Sequence, residues 1–150
     1  MSLYFAYGSN MDLDQMRERC PDARLLGVAS LPDYRLAFTI YSEKRKCGCA
    51  DILPMEGESV YGLLYKLNDA DMEAMDVFEG HPVHYRRIQV VVLSAKGKEV
   101  EAETYEVVKK EKDLLPSTHY LGLIKRAANR FGFPETYHSS LSKIEVKTIE

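Results

Sequence analysis

Two short segments hold the residues best suited to chemistry, Tyr7-Gly8-Ser9-Asn10 and Met75-Asp76-Val77-Phe78-Glu79-Gly80. The first follows an apolar, aromatic run, Leu3 to Ala6, and precedes a helical pattern that begins at Asp12. A loop between a strand and a helix start offers free backbone N–H groups and the positive end of a helix dipole. Both suit a carboxylate or a phosphate. Gly8 lets the backbone approach a ligand closely, while Ser9 and Asn10 add side-chain hydrogen bonds. The same residue types also build an ordinary strand-to-helix turn.

In the second segment, acids stand where the negative end of a helix dipole disfavours them. Asp76 and Glu79 are three apart and repel each other, and apolar Val77 and Phe78 suggest partial burial. Each factor would raise the carboxyl pKa of Glu79 and fit it for general acid–base work near pH 7. A surface glutamate before a C-cap glycine is the alternative, and sequence physics alone favours it.

Ten tyrosines and no tryptophan form a third feature. Tyr85 and Tyr120 follow turn signals and could present hydroxyls to a pocket. Tyr34, Tyr41, Tyr61 and Tyr65 fit packing within strands, and His119 fits an exposed place in a first helical turn. Cys47 and Cys49 with His81 and His84 would supply four zinc ligands, but structural sites use wider spacings such as C-x₂-C. Reduced thiols in a strand and two loop histidines are the preferred reading, with no metal and no cofactor. No Ser or Cys nucleophile motif and no phosphate-binding GxGxxG or GxxxxGK[ST] pattern occurs.

These residues must be positioned by a chain of 150 residues, a length that predicts one domain spanning 1–150 and a core that needs no disulfide or metal. A formal charge of −3 argues against nucleic-acid binding, which needs a dense positive face. Apolar runs such as Val90-Val91-Val92-Leu93 fall far short of the roughly 18 residues of a membrane span. No basic residue precedes Arg17, and three cysteines form no secreted framework, so the expected location is cytoplasmic.

Strands are expected at Leu3 to Ala6, Arg24 to Ala29, Tyr34 to Tyr41, Cys49 to Leu53, Val60 to Leu67, Tyr85 to Leu93 and Glu99 to Val108. The Leu31-Pro32-Asp33 turn separates the second from the third, Pro54 and Gly57 join the fourth to the fifth, and Gly97 turns the last hairpin. Asp12 with Gln15 reads as a capping box for a helix that Pro21 ends. Asn68 and Gly80 bound a helix over Asp69 to Glu79, and Ser117 caps another, stopped by Gly132 and Pro134. A last helix carries Tyr137, Leu141 and Ile144. Lys109 to Asp113 reads as a solvated loop. About seven strands and four helices, with most strands adjacent in sequence, predict an α+β fold. Its mostly antiparallel sheet should curl toward a barrel.

At this point the residues resemble a known family. Tyr4-Phe5-Ala6-Tyr7-Gly8-Ser9-Asn10-Met11 is similar to the opening signature of the γ-glutamylcyclotransferases. The likeness runs through Arg19-Cys20-Pro21-Asp22-Ala23, Leu31 to Leu36 and Val60 to Tyr65. Asp76 to Gly80, His84 to Arg87, Pro116-Ser117 and Tyr120-Leu121 extend it over nearly the whole chain, to about Leu141. Ser9-Asn10 favours this branch over the γ-glutamylamine and plant-type relatives, which usually show Tyr-Gly-Thr-Leu.

The resemblance implies an α+β fold with a mixed, mostly antiparallel sheet curled into a small barrel with flanking helices, a cavity at the Tyr7–Asn10 loop and a catalytic glutamate at Glu79. It implies that a γ-glutamyl compound's α-amine attacks its own γ-carbonyl, giving 5-oxoproline and a free amino acid or amine. Gly8 and Ser9 would bind the substrate's anionic part, with Tyr7, Asn10, Tyr85 and Tyr120 orienting it. The expected partner is a small γ-glutamyl molecule, with room for a homodimer. Two departures, Ala127-Ala128 and the basic insert Glu43 to Cys47, bear on the leaving group. A non-catalytic binding module for a γ-glutamyl or other small carboxylate ligand is the rival reading, and a protein-interaction domain a third.

Overall fold

Alternating and β-branched stretches form five strands, and capped amphipathic stretches form four helices, in a computed structural model that describes residues 1–112 and 114–147. In chain order these are β1 (Ser2–Ala6), α1 (Leu13–Arg19), β2 (Arg24–Ser42), β3 (Cys47–Leu67) and α2 (Asp69–Glu79). Then come β4 (Tyr85–Ser94), β5 (Glu99–Val107), α3 (Thr118–Arg130) and α4 (Glu135–Ser142). The strands close into a barrel in the order β1-β3-β2-β4-β5. Every pairing is antiparallel except β1 with β5, which is parallel where Tyr4 faces Glu103. Closure removes the unpaired edges on which chains aggregate.

The sequence overcounts the strands because two expected breaks are bulges. Asp33 adopts φ 63°, and its carboxylate accepts the Gly57 N–H at 3.0 Å. Pairing resumes on either side, with Pro32 opposite Ser59 and Tyr34 opposite Pro54. Both prolines therefore stand where the ladder is already interrupted, a place in a sheet where a missing N–H is tolerated. The expected pairs of short strands become β2, of 19 residues, and β3, of 21.

The caps form largely as expected. Asn68 Oδ1 accepts the Asp71 N–H at 2.7 Å, Ser117 Oγ accepts the Tyr120 N–H at 3.0 Å, and Gly80 ends α2 at φ 67°. That conformation favours glycine, so α2 stops immediately after Glu79. The capping box at α1 is only half formed: Asp12 accepts the Gln15 N–H at 3.3 Å, but the Gln15 side chain points elsewhere. Ile144 lies beyond α4 and packs against the core from there. Phe5, Ile52, Val60, Leu63 and Val92 are fully buried inside the barrel, with Ile124 and Ala128 of α3 laid against it. Among the described residues, no helix is long and apolar enough to cross a membrane.

One buried charge braces this frame. Asp51 of β3 is fully buried and accepts from Thr39 Oγ1 at 2.7 Å, Val107 N at 2.9 Å and Lys110 Nζ at 2.7 Å. Lys110 therefore corrects the expectation of a solvated loop, and Glu106 at 3.6 Å adds a second acid to it. Asp113, the end of that expected loop, lies outside the described residues. Asp51 ties β2, β3 and the end of β5 together one residue from Ala50. Asp51→Ala would leave the Val107 amide and the Thr39 hydroxyl without their acceptor and the Lys110 ammonium without its buried partner. Urea titration should show a loss of about 3 kcal/mol or more. A loss below about 1 kcal/mol would mean that the brace is dispensable.

Candidate active site

At its end β1 runs into Tyr7-Gly8-Ser9-Asn10, which turns through a short 3₁₀ helix, Ser9–Met11, before α1 begins. The Gly8 carbonyl accepts from Met11 N at 3.1 Å and the Ser9 carbonyl from Asp12 N at 2.9 Å. The amides of Gly8, Ser9 and Asn10 have no partner among the described residues. Free N–H groups were expected here from the start of a full helix. The structure assigns them instead to the tighter 3₁₀ turn, while Asp12 caps α1 itself. Gly8 lies close to β3 and α3: a Cβ there would stand 3.2 Å from Ala50 Cβ and 3.4 Å from the Tyr120 hydroxyl.

The buried Asn10 is a hub. Its Nδ2 donates to Tyr4 Oη at 2.8 Å and to Glu79 Oε1 at 3.2 Å, and lies 3.3 Å from Met75 Sδ. Its Oδ1 accepts from Gln15 Nε2 at 2.9 Å and Arg19 Nη1 at 3.1 Å. The side chain is thus spent on protein groups. Asn10 lines the cavity in which the sequence reading expected it to orient a ligand, and there it holds Glu79 in place. Gln15 Nε2 also donates to Ser9 Oγ at 2.9 Å, which leaves the Ser9 hydroxyl hydrogen unspent.

Glu79 closes α2 with its side chain 16% exposed and Arg19 Nη1 4.0 Å from its carboxylate. Burial pushes its pKa above the usual 4.5, while Arg19, the Asn10 hydrogen bond and Arg45 pull it back. Burial wins, in the expected direction and by one of the expected causes, while the expected repulsion from Asp76 plays no part. Asp76 turns away, accepting from Tyr105 Oη at 2.6 Å with Arg87 at 3.6 Å, and does not contribute to the shift. Val77 and Phe78 are exposed, and Phe78 lies under the Arg19 guanidinium at 5.0 Å. Tyr4, Tyr7 and Tyr85 line the cavity beside Glu79, together with Val77 and Phe78.

The tyrosines divide by where their hydroxyl hydrogens go. Tyr7 donates to the Tyr105 carbonyl at 2.6 Å and Tyr85 to the Ala50 carbonyl at 2.7 Å. Tyr120 accepts the Ala50 N–H at 3.0 Å, so its own hydrogen is free. Burial raises all three pKa values, which keeps them neutral donors. Together with Glu79 and the Gly8–Ser9 turn they line one cavity of about 1080 Å³.

Cys47 and Cys49 are buried in β3, Cys49 against the cavity with its thiol pushed up to about 12 by burial. His81 Nδ1 accepts the Arg87 N–H at 3.0 Å. Among the described residues, no group of three or more His, Cys, Asp and Glu side chains is placed to hold a metal.

Residues 4–122 match the family described as "Gamma-glutamyl cyclotransferase, AIG2-like". The chain belongs to this family. It is 34% identical over 148 residues to the gamma-glutamylcyclotransferase of Bos taurus, covering 95% of this chain and 78% of the relative. The Homo sapiens gamma-glutamylcyclotransferase is 33% identical over the same shares. A solved gamma-glutamyl cyclotransferase superposes with a TM-score of 0.92 at 31% identity, covering 99% of this chain and 90% of that one. This is therefore an enzyme of the gamma-glutamylcyclotransferase type, with a small-molecule substrate.

The candidate site also draws in Tyr4, Gln15, Arg19 and Tyr105, to which sequence reasoning gave no site role, and Arg45, which it noted only within the basic insert Glu43 to Cys47. Gln15 and Arg19 are four apart on α1, a spacing that puts both on one face and could have signalled a shared role. Arg45 comes from the β2–β3 turn, donates to Gln15 Oε1 at 2.7 Å and lies 5.1 Å above the Tyr120 ring. Only the fold brings it there.

The raised pKa of Glu79 has a consequence for stability. Its neutral form is favoured by folding, so its stabilising contribution is complete below 4.5 and lost as pH rises through the raised value. Glutamine mimics the neutral acid at every pH. Thermal melts should place Glu79→Gln at or above wild type near pH 8, the gap closing toward about pH 4. A wild type that gains on the variant as pH rises would show that the fold favours the carboxylate.

Proposed function

We propose that this chain cyclises the γ-glutamyl group of a small γ-glutamyl compound to 5-oxoproline, releasing an amino acid or amine. The observation that carries this reading is the largely buried Glu79 carboxyl, fixed by Asn10 in the cavity that Gly8 and Ser9, whose amides have no partner among the described residues, also line. Nucleophile and electrophile belong to one substrate molecule, so the enzyme's task is to fold the substrate and move protons.

The α-nitrogen forms a bond to the carbon of the γ-carbonyl, and the bond from that carbonyl carbon to the leaving nitrogen breaks. Two protons leave the α-ammonium and two arrive on the departing nitrogen, so no net proton is taken up. Glu79 accepts from the α-ammonium as the ring closes and donates to the leaving nitrogen as the amide breaks. The Gly8 and Ser9 amides hold the substrate carboxylate or the developing oxyanion, and the free Tyr120 hydroxyl hydrogen supplies a further donor. Tyr7 and Tyr85, with their hydrogens committed to backbone carbonyls, shape the walls that orient the substrate. The described chain acts as one domain. Its three unpaired cysteines suit a reducing compartment, in support of a cytoplasmic setting.

Incubation with a panel of γ-glutamyl amino acids and amines, with 5-oxoproline read by mass spectrometry, tests the activity. Binding without 5-oxoproline would make the chain a non-catalytic binding module. Glu79→Gln should lower kcat by roughly 10²–10⁴-fold, because glutamine cannot accept and return a proton. Asp76→Asn, which alters the neighbouring acid outside the carboxylate's cage, should keep most of the turnover. A Glu79→Gln variant with more than about a tenth of wild-type kcat would remove the general-base role. In wild type, kcat should fall on the acid side as Glu79 takes up its proton, with a midpoint above 4.5.

A further inference from the structure

The rim of the cavity contains an unspent cation. Arg45 is half-buried, fixed by one hydrogen bond to Gln15 at 2.7 Å and by stacking 5.1 Å from the Tyr120 ring centre. A guanidinium has five N–H donors, so most of its capacity is free. Among the described residues, no carboxylate lies within 4.0 Å of it. Its neighbours on the rim, Glu18, Glu43 and Lys44, are exposed, whereas Arg19 is already engaged with Asn10 and Glu79.

Tyr120 sets the order of groups along this wall. Its hydroxyl lies beside the Gly8 position and its ring face beneath Arg45. A substrate held at the Gly8–Ser9 amides and reacting at Glu79 therefore extends its leaving group past Tyr120 toward Arg45. We propose that Arg45 is a specificity-determining residue that reads negative charge on the leaving group, so that turnover rises from γ-glutamylamines through neutral to acidic γ-glutamyl amino acids. The inference rests on the cyclotransferase reading and deepens it by naming the preferred substrate class. The chemistry is that of a planar fork matched to a carboxylate, at a wall where bulk water is partly excluded.

Arg45 also favours the ionised form of Glu79 and holds Gln15, so replacing it will change the rate for every substrate. Those effects are common to all substrates and cancel in a ratio. The test is therefore kcat/KM for γ-glutamylethylamide, γ-glutamylalanine and γ-glutamylglutamate, each in wild type, Arg45→Gln and Arg45→Lys. Wild type should rank them in that ascending order. Arg45→Gln should shrink the ratio of the last to the first by roughly ten- to a hundredfold, and Arg45→Lys should keep part of it. A ratio that is the same in wild type and Arg45→Gln overturns the assignment. If wild type releases no 5-oxoproline from any of the three, the cyclotransferase reading fails, and calorimetric titration of the same compounds decides Arg45 separately. Tighter binding of γ-glutamylglutamate that Arg45→Gln abolishes would uphold charge reading, and equal affinities would overturn it.

Discussion

A carboxamide holds a buried carboxyl: Asn10 to Glu79, at 3.2 Å, is the contact on which the site depends. Burying a carboxylate in a protein wall costs several kcal/mol unless hydrogen bonds and charge compensate. Here one hydrogen bond from Asn10 and a cation at 4.0 Å compensate in part, and burial still prevails. That balance is what acid–base chemistry needs. Full compensation would leave a weak base that keeps no proton, and none would leave a permanently neutral acid. Asn10 can serve only because its other groups are spoken for. Tyr4 takes its second N–H, and Gln15 and Arg19 occupy its oxygen, so the amide has one orientation.

The rest of the fold brings the two residues together from 69 positions apart. Asn10 arrives at the end of β1, a strand with Phe5 and Ala6 buried in the barrel, and Glu79 arrives on the last turn of a helix that Gly80 stops. The opposite wall hangs on a single residue of backbone. The Ala50 N–H and carbonyl fix Tyr120 and Tyr85, and Asp51 next to it fixes that stretch of β3 through Thr39, Val107 and Lys110. The fold's brace and the wall of the candidate site thus meet at two neighbouring residues. The charge buried at Asp51 keeps the hydroxyls at Ala50 in register with the Gly8 turn.

Local signals carried the frame. Apolar Leu3 to Ala6 before a glycine turn, Asn68 and Gly80 around α2, and Gly97 in the last hairpin each act within a few residues, and each formed as its chemistry dictates. The barrel with flanking helices follows from the excess of adjacent strands and from the family resemblance, and the fold matches it. Asp33 misled because a residue with φ 63° reads as a turn, whereas pairing across a bulge is decided by the partner strand. The environment of Glu79 misled similarly. Sequence neighbours Asp76, Val77 and Phe78 were assigned the work of shifting it, yet Asp76 is held by Tyr105 and Arg87, and Val77 and Phe78 line the cavity while staying largely exposed. Tyr4, Asn10, Arg19 and Arg45 come from elsewhere in the chain, and no spacing rule places them. Lys110 looked like a solvated charge for the same reason: its partner Asp51 is 59 positions away.

The most direct test of the account is the protonation of Glu79 itself. Infrared difference spectra of wild type against Glu79→Gln, recorded through a pH titration, isolate the carboxyl stretch of that one side chain. A protonated-acid band should persist above the ordinary value of 4.5 and disappear at a higher pH. In Asn10→Ala, which removes the hydrogen bond to the ionised form, that midpoint should move higher still. A carboxyl that ionises at or below 4.5, or one that Asn10→Ala leaves unmoved, would contradict the account.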